Sequence, residues 1–205
     1  RWRHWIAPNI GNKKLSTLTE QDLQNIVNKA YAAGLSKKTL SCICSDLRAL
    51  CKFCRAAKLS TFNPEGLHIP AGARLKGKKV LQPSDLITLF NVDTTLYKGQ
   101  TIHDDYINAY RFQVLTGLRP GELVGLQWGD IQGNTVHVQR AVNVRGEVTK
   151  GKNQNAVRSF VLSRMARRVL DAQRQITGHQ ESVFCILTEY NYYWRWKVYC
   201  KANGL

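Results

Sequence analysis

The stretch Leu115–Ile131, LTGLRPGELVGLQWGDI, sets one arginine, Arg119, in a Gly-Leu-Arg-Pro-Gly turn between two runs of helical apolar spacing. A guanidinium stays charged at any physiological pH and presents a planar fork of N–H donors. Held by a tight turn beside a helix N-terminus, such a group suits a phosphate clamp. Glu122 falls in the first turn of the following helix, where a carboxylate favours the helix dipole. The residues alone leave two readings of Arg119: a clamp for an external anion, or an internal pair with Glu122 or a backbone carbonyl.

Three further groups bear on chemistry. EVTKGKNQNAVRSF places Lys150 and Lys152 in the connection between two strand-like stretches. A lysine at a hairpin tip can hold phosphate, or release a proton when nearby cations lower its pKa; the plain alternative is a solvated basic turn. Lys37 and Lys38 open a helix capped by Ser36, where positive charge runs against the dipole, and a DNA phosphate would account for it. Arg48, Lys52 and Arg55 continue that helix, and Arg74, Lys76, Lys78 and Lys79 follow in a Gly- and Pro-rich stretch. Cysteines 42, 44, 51 and 54 imitate a zinc pattern, but zinc needs four converging ligands. On one helix Cys44, Cys51 and Cys54 share a face with Leu47 and Leu50 while Cys42 points elsewhere, so a packed helix and no metal is expected. The chain contains no P-loop, no H-E-x-x-H and no G-x-S-x-G, and its five histidines (4, 68, 103, 137, 179) are scattered.

The composition narrows the partner. Lysine and arginine number 30 against 14 acidic residues, a net charge of +16 over 205 residues. Such an excess implies a polyanion, nucleic acid before an anionic membrane surface. No apolar run approaches the ~18 residues of a membrane span. Six cysteines in a basic chain without a signal peptide are expected to be reduced thiols in the cytoplasm. The chain starts RWRHW without an initiator methionine and ends YCKANGL directly after a helical pattern, so it reads as a piece of something longer.

The elements that must position these residues divide in two. Thr19 with Asp22 caps a helix whose face is Leu23, Ile26, Val27, Ala30 and Tyr31, stopped by Gly34. Ser36 caps a second helix with Leu40, Ile43, Leu47, Leu50, Cys51 and Cys54 inward. APNIG breaks the chain before them, and FNPEG ends the unit. The linker is 69–85, with a domain boundary near residue 78: a helical DNA-binding domain over 1–75 and a second domain over 76–205. In the second, Pro83 starts a helix burying Leu86, Ile87, Leu89 and Phe90. Another helix, from Asp104 to Leu115, buries Ile107, Tyr110, Val114 and Leu115. Three short antiparallel strands are expected around 134–142 and 156–162. A helix over Ser163–Ile176 follows, with Met165, Val169, Leu170 and Gln173 on one side, and an aromatic helix near 189–203 closes the chain at Gly204. The fold class is therefore mainly α with a small antiparallel sheet, α+β.

Together these pieces resemble the tyrosine recombinase family, especially phage and conjugative-transposon integrases. TGLRPGELVGLQWGDI is similar to the family's first arginine box; LSKKTL, with Lys37, Lys38 and Thr39, resembles the start of a DNA-facing helix in the core-binding domain. TKGKNQNAVRSFVL is similar to the β-hairpin carrying the catalytic lysine, followed by an arginine, here Arg158. The resemblance implies a helical core-binding (SAM-like) domain and a catalytic domain, cut short here at its C-terminus. It implies attack of a tyrosine hydroxyl on a scissile DNA phosphate through a 3′-phosphotyrosyl intermediate, with no metal or cofactor. Arg119 would hold a non-bridging oxygen, Glu122 would buttress the turn, and Lys150 would protonate the leaving 5′-oxygen, with Lys152 the alternative by register. Lys37, Lys38, Thr39, Arg48, Lys52, Arg74, Lys76, Lys78, Lys79, Lys152 and Arg158 would contact DNA. The whole protein would work as a homotetramer on double-stranded DNA in a bacterial cytoplasm. The family's second box, H-x-x-R, is expected after the lysine hairpin and is absent there (the His137–Arg140 match lies before it), and Tyr190, Tyr192, Tyr193 and Tyr199 precede the place where a nucleophile is expected. Their expected role is aromatic packing, and the chain by itself is expected not to cleave DNA. The alternative is a non-catalytic DNA-binding fragment or a degenerate integrase relic.

Overall fold

In the computed structural model the described residues are 1–75, 77, 79–150 and 157–205. They form two compact units, Arg1–Lys79 and Val80–Leu205. No helix among them is long and apolar enough to cross a membrane.

The first unit is helical. A π-helical segment Trp2–Ile6 runs into α1 (Ala7–Ile10), followed by α2 (Glu20–Ala32) and α3 (Lys37–Ala56). The expected break at APNIG is instead a helical turn: Pro8 occupies the first turn of α1, where a missing N–H costs no hydrogen bond. Thr19 and Asp22 form a reciprocal capping box on α2. Gly34, at φ 77°, reverses the chain after α2. Its N–H bonds to Tyr31 O and that of Leu35 to Ala30 O, the paired bonds of a Schellman stop. Ile6, Leu23, Ile26, Val27, Ala30, Leu40, Ile43 and Leu47 are fully buried and define the core. Cys44, Cys51 and Cys54 are buried in or beside it and Cys42 is only half-buried, as helical spacing requires. Tyr31, expected inward, is exposed.

The extended chain after α3 is stitched back onto the helices. The Gln24 amide donates to His68 O and accepts from His68 N–H, imitating a strand partner. Ile69 packs on the core, Ala73 is buried, and the Lys37 N–H donates to Arg74 O. The first part of the expected linker is therefore structured with the first unit.

The second unit orders as α4 (Pro83–Asn91), β1 (Thr94–Tyr97), β2 (Gln100–His103), α5 (Ile107–Thr116), α6 (Pro120–Val124), β3 (Ile131–Gln132), β4 (Thr135–Val138), β5 (Ala141–Val142), β6 (Val148–Thr149), β7 (Arg158–Val161), α7 (Arg164–Thr177) and α8 (Glu189–Asn203). The hairpin β1–β2 was not expected. Its turn residues Lys98 and Gly99 both have positive φ, matching the twist of a two-residue hairpin, and a Lys-Gly pair signals that turn weakly. The long strand expected over 134–142 is two. β4 pairs with β3 and β7 in a three-stranded antiparallel sheet, whereas β5 pairs with β6 in a separate ribbon. Between them Arg140 turns its guanidinium onto the buried carboxylate of Asp130, 2.5 Å away.

The core of this unit gathers Leu89, Tyr110, Phe112, Leu123, Val136, Leu170, Val183 and Tyr199. Ile87, Val114 and Met165 were expected inside and are exposed. Phe112 and Ala166 take the corresponding inward positions on α5 and α7, because each helix meets its neighbours on a face rotated from the one apolar spacing suggests. On α8, Tyr192 and Tyr199 pack around Tyr110, and their hydroxyls donate to Gln113 Oε1 and Val92 O. Tyr190 and Tyr193 do not pack inward as expected; both are exposed.

Candidate functional site: a carboxylate between two arginines

The Arg119 turn is defined by its backbone. α5 ends at Gly117 in the left-handed region (φ 66°), and Leu118 is buried as an anchor. Arg119 then takes extended dihedrals as N-cap of α6, with Pro120 at the first helical position. Gly121 lets α6 lie against β5: a Cβ there would meet Val142 O at 2.7 Å. The turn is thus fixed from three sides before any side chain of the site is considered.

Glu122 is the centre. It is 3% exposed, whereas the Arg119 side chain is 62% exposed. Glu122 Oε2 accepts the Arg119 backbone N–H at 3.0 Å, and Oε1 accepts Arg119 Nη1 at 2.9 Å. From β7, Arg158 Nη1 donates to Oε1 at 2.9 Å and Nη2 to Oε2 at 2.8 Å, a two-pronged pair. Burial pushes the Glu122 carboxyl up, but the hydrogen bonds from Arg158 and the Arg119 backbone, with the Arg158 charge, outweigh it and hold it at about 2. The Arg158 guanidinium is raised in turn, chiefly by its hydrogen bonds to Glu122.

Of the two readings of Arg119, the internal pair with Glu122 is present. Its side chain as a whole nonetheless remains largely exposed. Arg158, expected on DNA, directs its donors to Glu122. Sequence spacing could not reveal this, because the two residues are 36 positions apart. The available signal was an arginine at an inward register position: Arg158 stands opposite the buried Val138, while its neighbour Ser159 pairs with the outward His137.

Lys150 is exposed just after β6 and lines a shallow groove with His137, Gln139, Arg158 and Ser159. His137 Nδ1 and Ser159 Oγ lie 2.7 Å apart in that groove. Lys152 lies outside the described residues, as do Lys76 and Lys78. In the first unit Lys37, Lys38 and Lys52 are exposed on α3, and no acid occupies its first turn. Ser36 Oγ accepts the Thr39 N–H and lies 3.0 Å from Thr39 Oγ1. Arg74 and Lys79 are exposed. Arg48 is partly committed to structure, donating to Leu67 O at 2.7 Å. Among the described residues no group of three His, Cys, Asp or Glu side chains could hold a metal ion.

The family described as phage integrase, N-terminal SAM-like domain, matches residues 2–31. A prophage integrase, IntR of Escherichia coli (strain K12), is 32% identical over 94 residues, which are 45% of this chain and 22% of that protein. A XerC-like tyrosine recombinase of Caldanaerobacter subterraneus subsp. tengcongensis is 24% identical over 152 residues, 69% of this chain and 36% of that protein. The matches thus span well under half the length of either relative. Among solved structures, a lambda integrase dimer bound to a COC′ core site aligns with a TM-score of 0.71 at 16% identity, over 98% of this chain and 68% of that one. The Tn1549 transposon integrase in complex with a circular intermediate DNA aligns with a TM-score of 0.67 at 17% identity, over 80% of this chain and 53% of that one. In sequence over part of its length, and in fold over nearly all of it, the chain resembles the tyrosine recombinases of the phage-integrase type.

Proposed function

We propose that this chain is the DNA-gripping part of a site-specific recombinase of a phage or other mobile element, and that Arg119 clamps the scissile phosphate. The observation that carries this reading is Arg119, held by Glu122 at both its backbone N–H and one guanidinium nitrogen in a tight turn, with a side chain that is largely exposed. In phosphoryl transfer, charge accumulates on the non-bridging oxygens, and a cation already oriented by the protein stabilises it without reorganisation. Lys150 is the proton donor to the leaving 5′-oxygen, with Lys152 as the alternative. Glu122 holds the arginine. Lys37, Lys38, Thr39, Lys52, Arg74 and Lys79 grip the phosphate backbone from the 1–75 domain and the linker, in support of the 76–205 catalytic domain. The reaction passes through a 3′-phosphotyrosyl link in the whole protein, which acts as a tetramer on DNA in the cytoplasm; the lambda integrase structures include a tetramer bound to a Holliday junction. Beyond the lysine-bearing hairpin the 205 residues contain no H-x-x-R, and by themselves they bind DNA without cleaving it.

Duplex binding by fluorescence anisotropy across a salt series tests the reading. Affinity should fall steeply with salt, since each neutralised phosphate contributes about 0.9 to the log–log slope. Failure to bind at low salt, or affinity indifferent to salt, would overturn it.

A further inference from the structure

Glu122 accepts four hydrogen bonds, two at each oxygen, which fills the acceptor directions of a carboxylate. Two donors come from Arg119 and two from Arg158. Two guanidinium groups and one carboxylate sum to +1. If Arg158 were absent, Arg119 and Glu122 would sum to zero, and the buried carboxylate would have Arg119 as its sole cation among these three groups. An arginine neutralised by its own support is a poor ligand for an oxyanion.

We infer that Arg158 is a positioning residue: its two-pronged grip on Glu122 from β7 satisfies that carboxylate and leaves Arg119 its charge and a fixed direction for a phosphate oxygen. This rests on the reading of Arg119 as the phosphate clamp. Arg158 is not itself a DNA contact. The register supports the assignment. Arg158 pairs with the buried Val138, and although it borders the groove of His137, Ser159 and Lys150, its fork is directed to Glu122. The same grip fastens the α6 turn to the strand that follows the lysine-bearing connection, so the arginine and lysine parts of the site share one mechanical link.

A double-mutant cycle on duplex affinity at low salt separates the possibilities. Arg158→Gln alone should weaken binding about tenfold, the loss expected when a charge-assisted pair is rearranged. In an Arg119→Ala background the same change should have no further effect, because Arg158 acts only through Arg119. Arg158→Lys, which keeps the charge but not the fork, should recover part of the affinity. In Arg158→Gln, carbon NMR of the Glu122 carboxyl should show its titration moving up from about 2. An Arg158→Gln loss that persists in the Arg119→Ala background, with the salt slope falling by about 0.9 in both, would make Arg158 a direct phosphate contact and overturn the inference. Unchanged affinity in Arg158→Gln, with Arg119→Ala weakened, would also overturn it while leaving the Arg119 reading intact. Undiminished binding by Arg119→Ala would instead remove the Arg119 reading. If near-ultraviolet circular dichroism shows that Arg158→Gln does not fold, the same cycle is read with Arg158→Lys, whose smaller loss must likewise vanish without Arg119.

Discussion

Replacing Glu122 with glutamine tests whether the two-arginine carboxylate stabilises the second unit as its geometry requires. The side chain keeps its size but loses its charge, and its amide would place a donor against donors of Arg119 or Arg158. The folded carboxyl sits at about 2 against an ordinary 4.5. Because the folded value is depressed, its stabilisation is fully present above about 4.5 and is lost as pH falls through about 2. At about 1.4 kcal/mol per pH unit, the ionised form contributes about 3 kcal/mol at pH 7 and roughly half of that at pH 3. Urea unfolding of the parent and Glu122→Gln chains should therefore differ by about 3 kcal/mol at neutral pH, with the gap roughly halved at pH 3. Tryptophan fluorescence can follow it, since Trp128, Trp194 and Trp196 all lie in the second unit. A gap below about 0.5 kcal/mol at pH 7, as expected of an exposed pair, would refute the reasoning. So would a gap that does not change between pH 7 and pH 3, because the loss would then arise from packing rather than charge.

Two further outcomes follow from the same structure. Gly117→Ala should cost about 1 kcal/mol or more, since φ is 66° and nothing lies within 4 Å of an added Cβ, making the cost conformational rather than steric. Thermal unfolding measures it, and an unchanged midpoint would show that the turn relaxes freely. Lys37→Gln with Lys38→Gln should weaken duplex binding and lower the log–log salt slope by about 1.8, one phosphate for each lysine. A slope equal to that of the parent would place both ammonium groups away from the backbone.

Local rules made much of the fold legible. The capping box of Thr19 and Asp22, the stop at Gly34, the cap at Ser36 and the turn at Arg119-Pro120 each depend on residues within about four positions of one another. Helical spacing likewise placed Cys44, Cys51 and Cys54 inside. Where an element's neighbours choose its buried face, spacing alone failed: Phe112 lies inside and Val114 outside on α5, and Ala166 rather than Met165 on α7. The division of 134–142 into β4 and β5 was equally hidden, since the two pair with different strands and Arg140 between them meets Asp130 outside the stretch.

For the site, the sequence by itself determined that Arg119 stands in a rigid turn with Glu122 one helical turn ahead, that lysines cluster near position 150, and that a charge of +16 calls for a polyanion. Only the tertiary structure decided that Glu122 is shared. Antiparallel pairing of β4 with β7 turns Arg158 inward, and burial then makes an uncompensated carboxylate costly enough to hold both guanidinium groups. Charge pairing across 36 residues is set by strand register and burial, and neither is written in the spacing of the residues that meet.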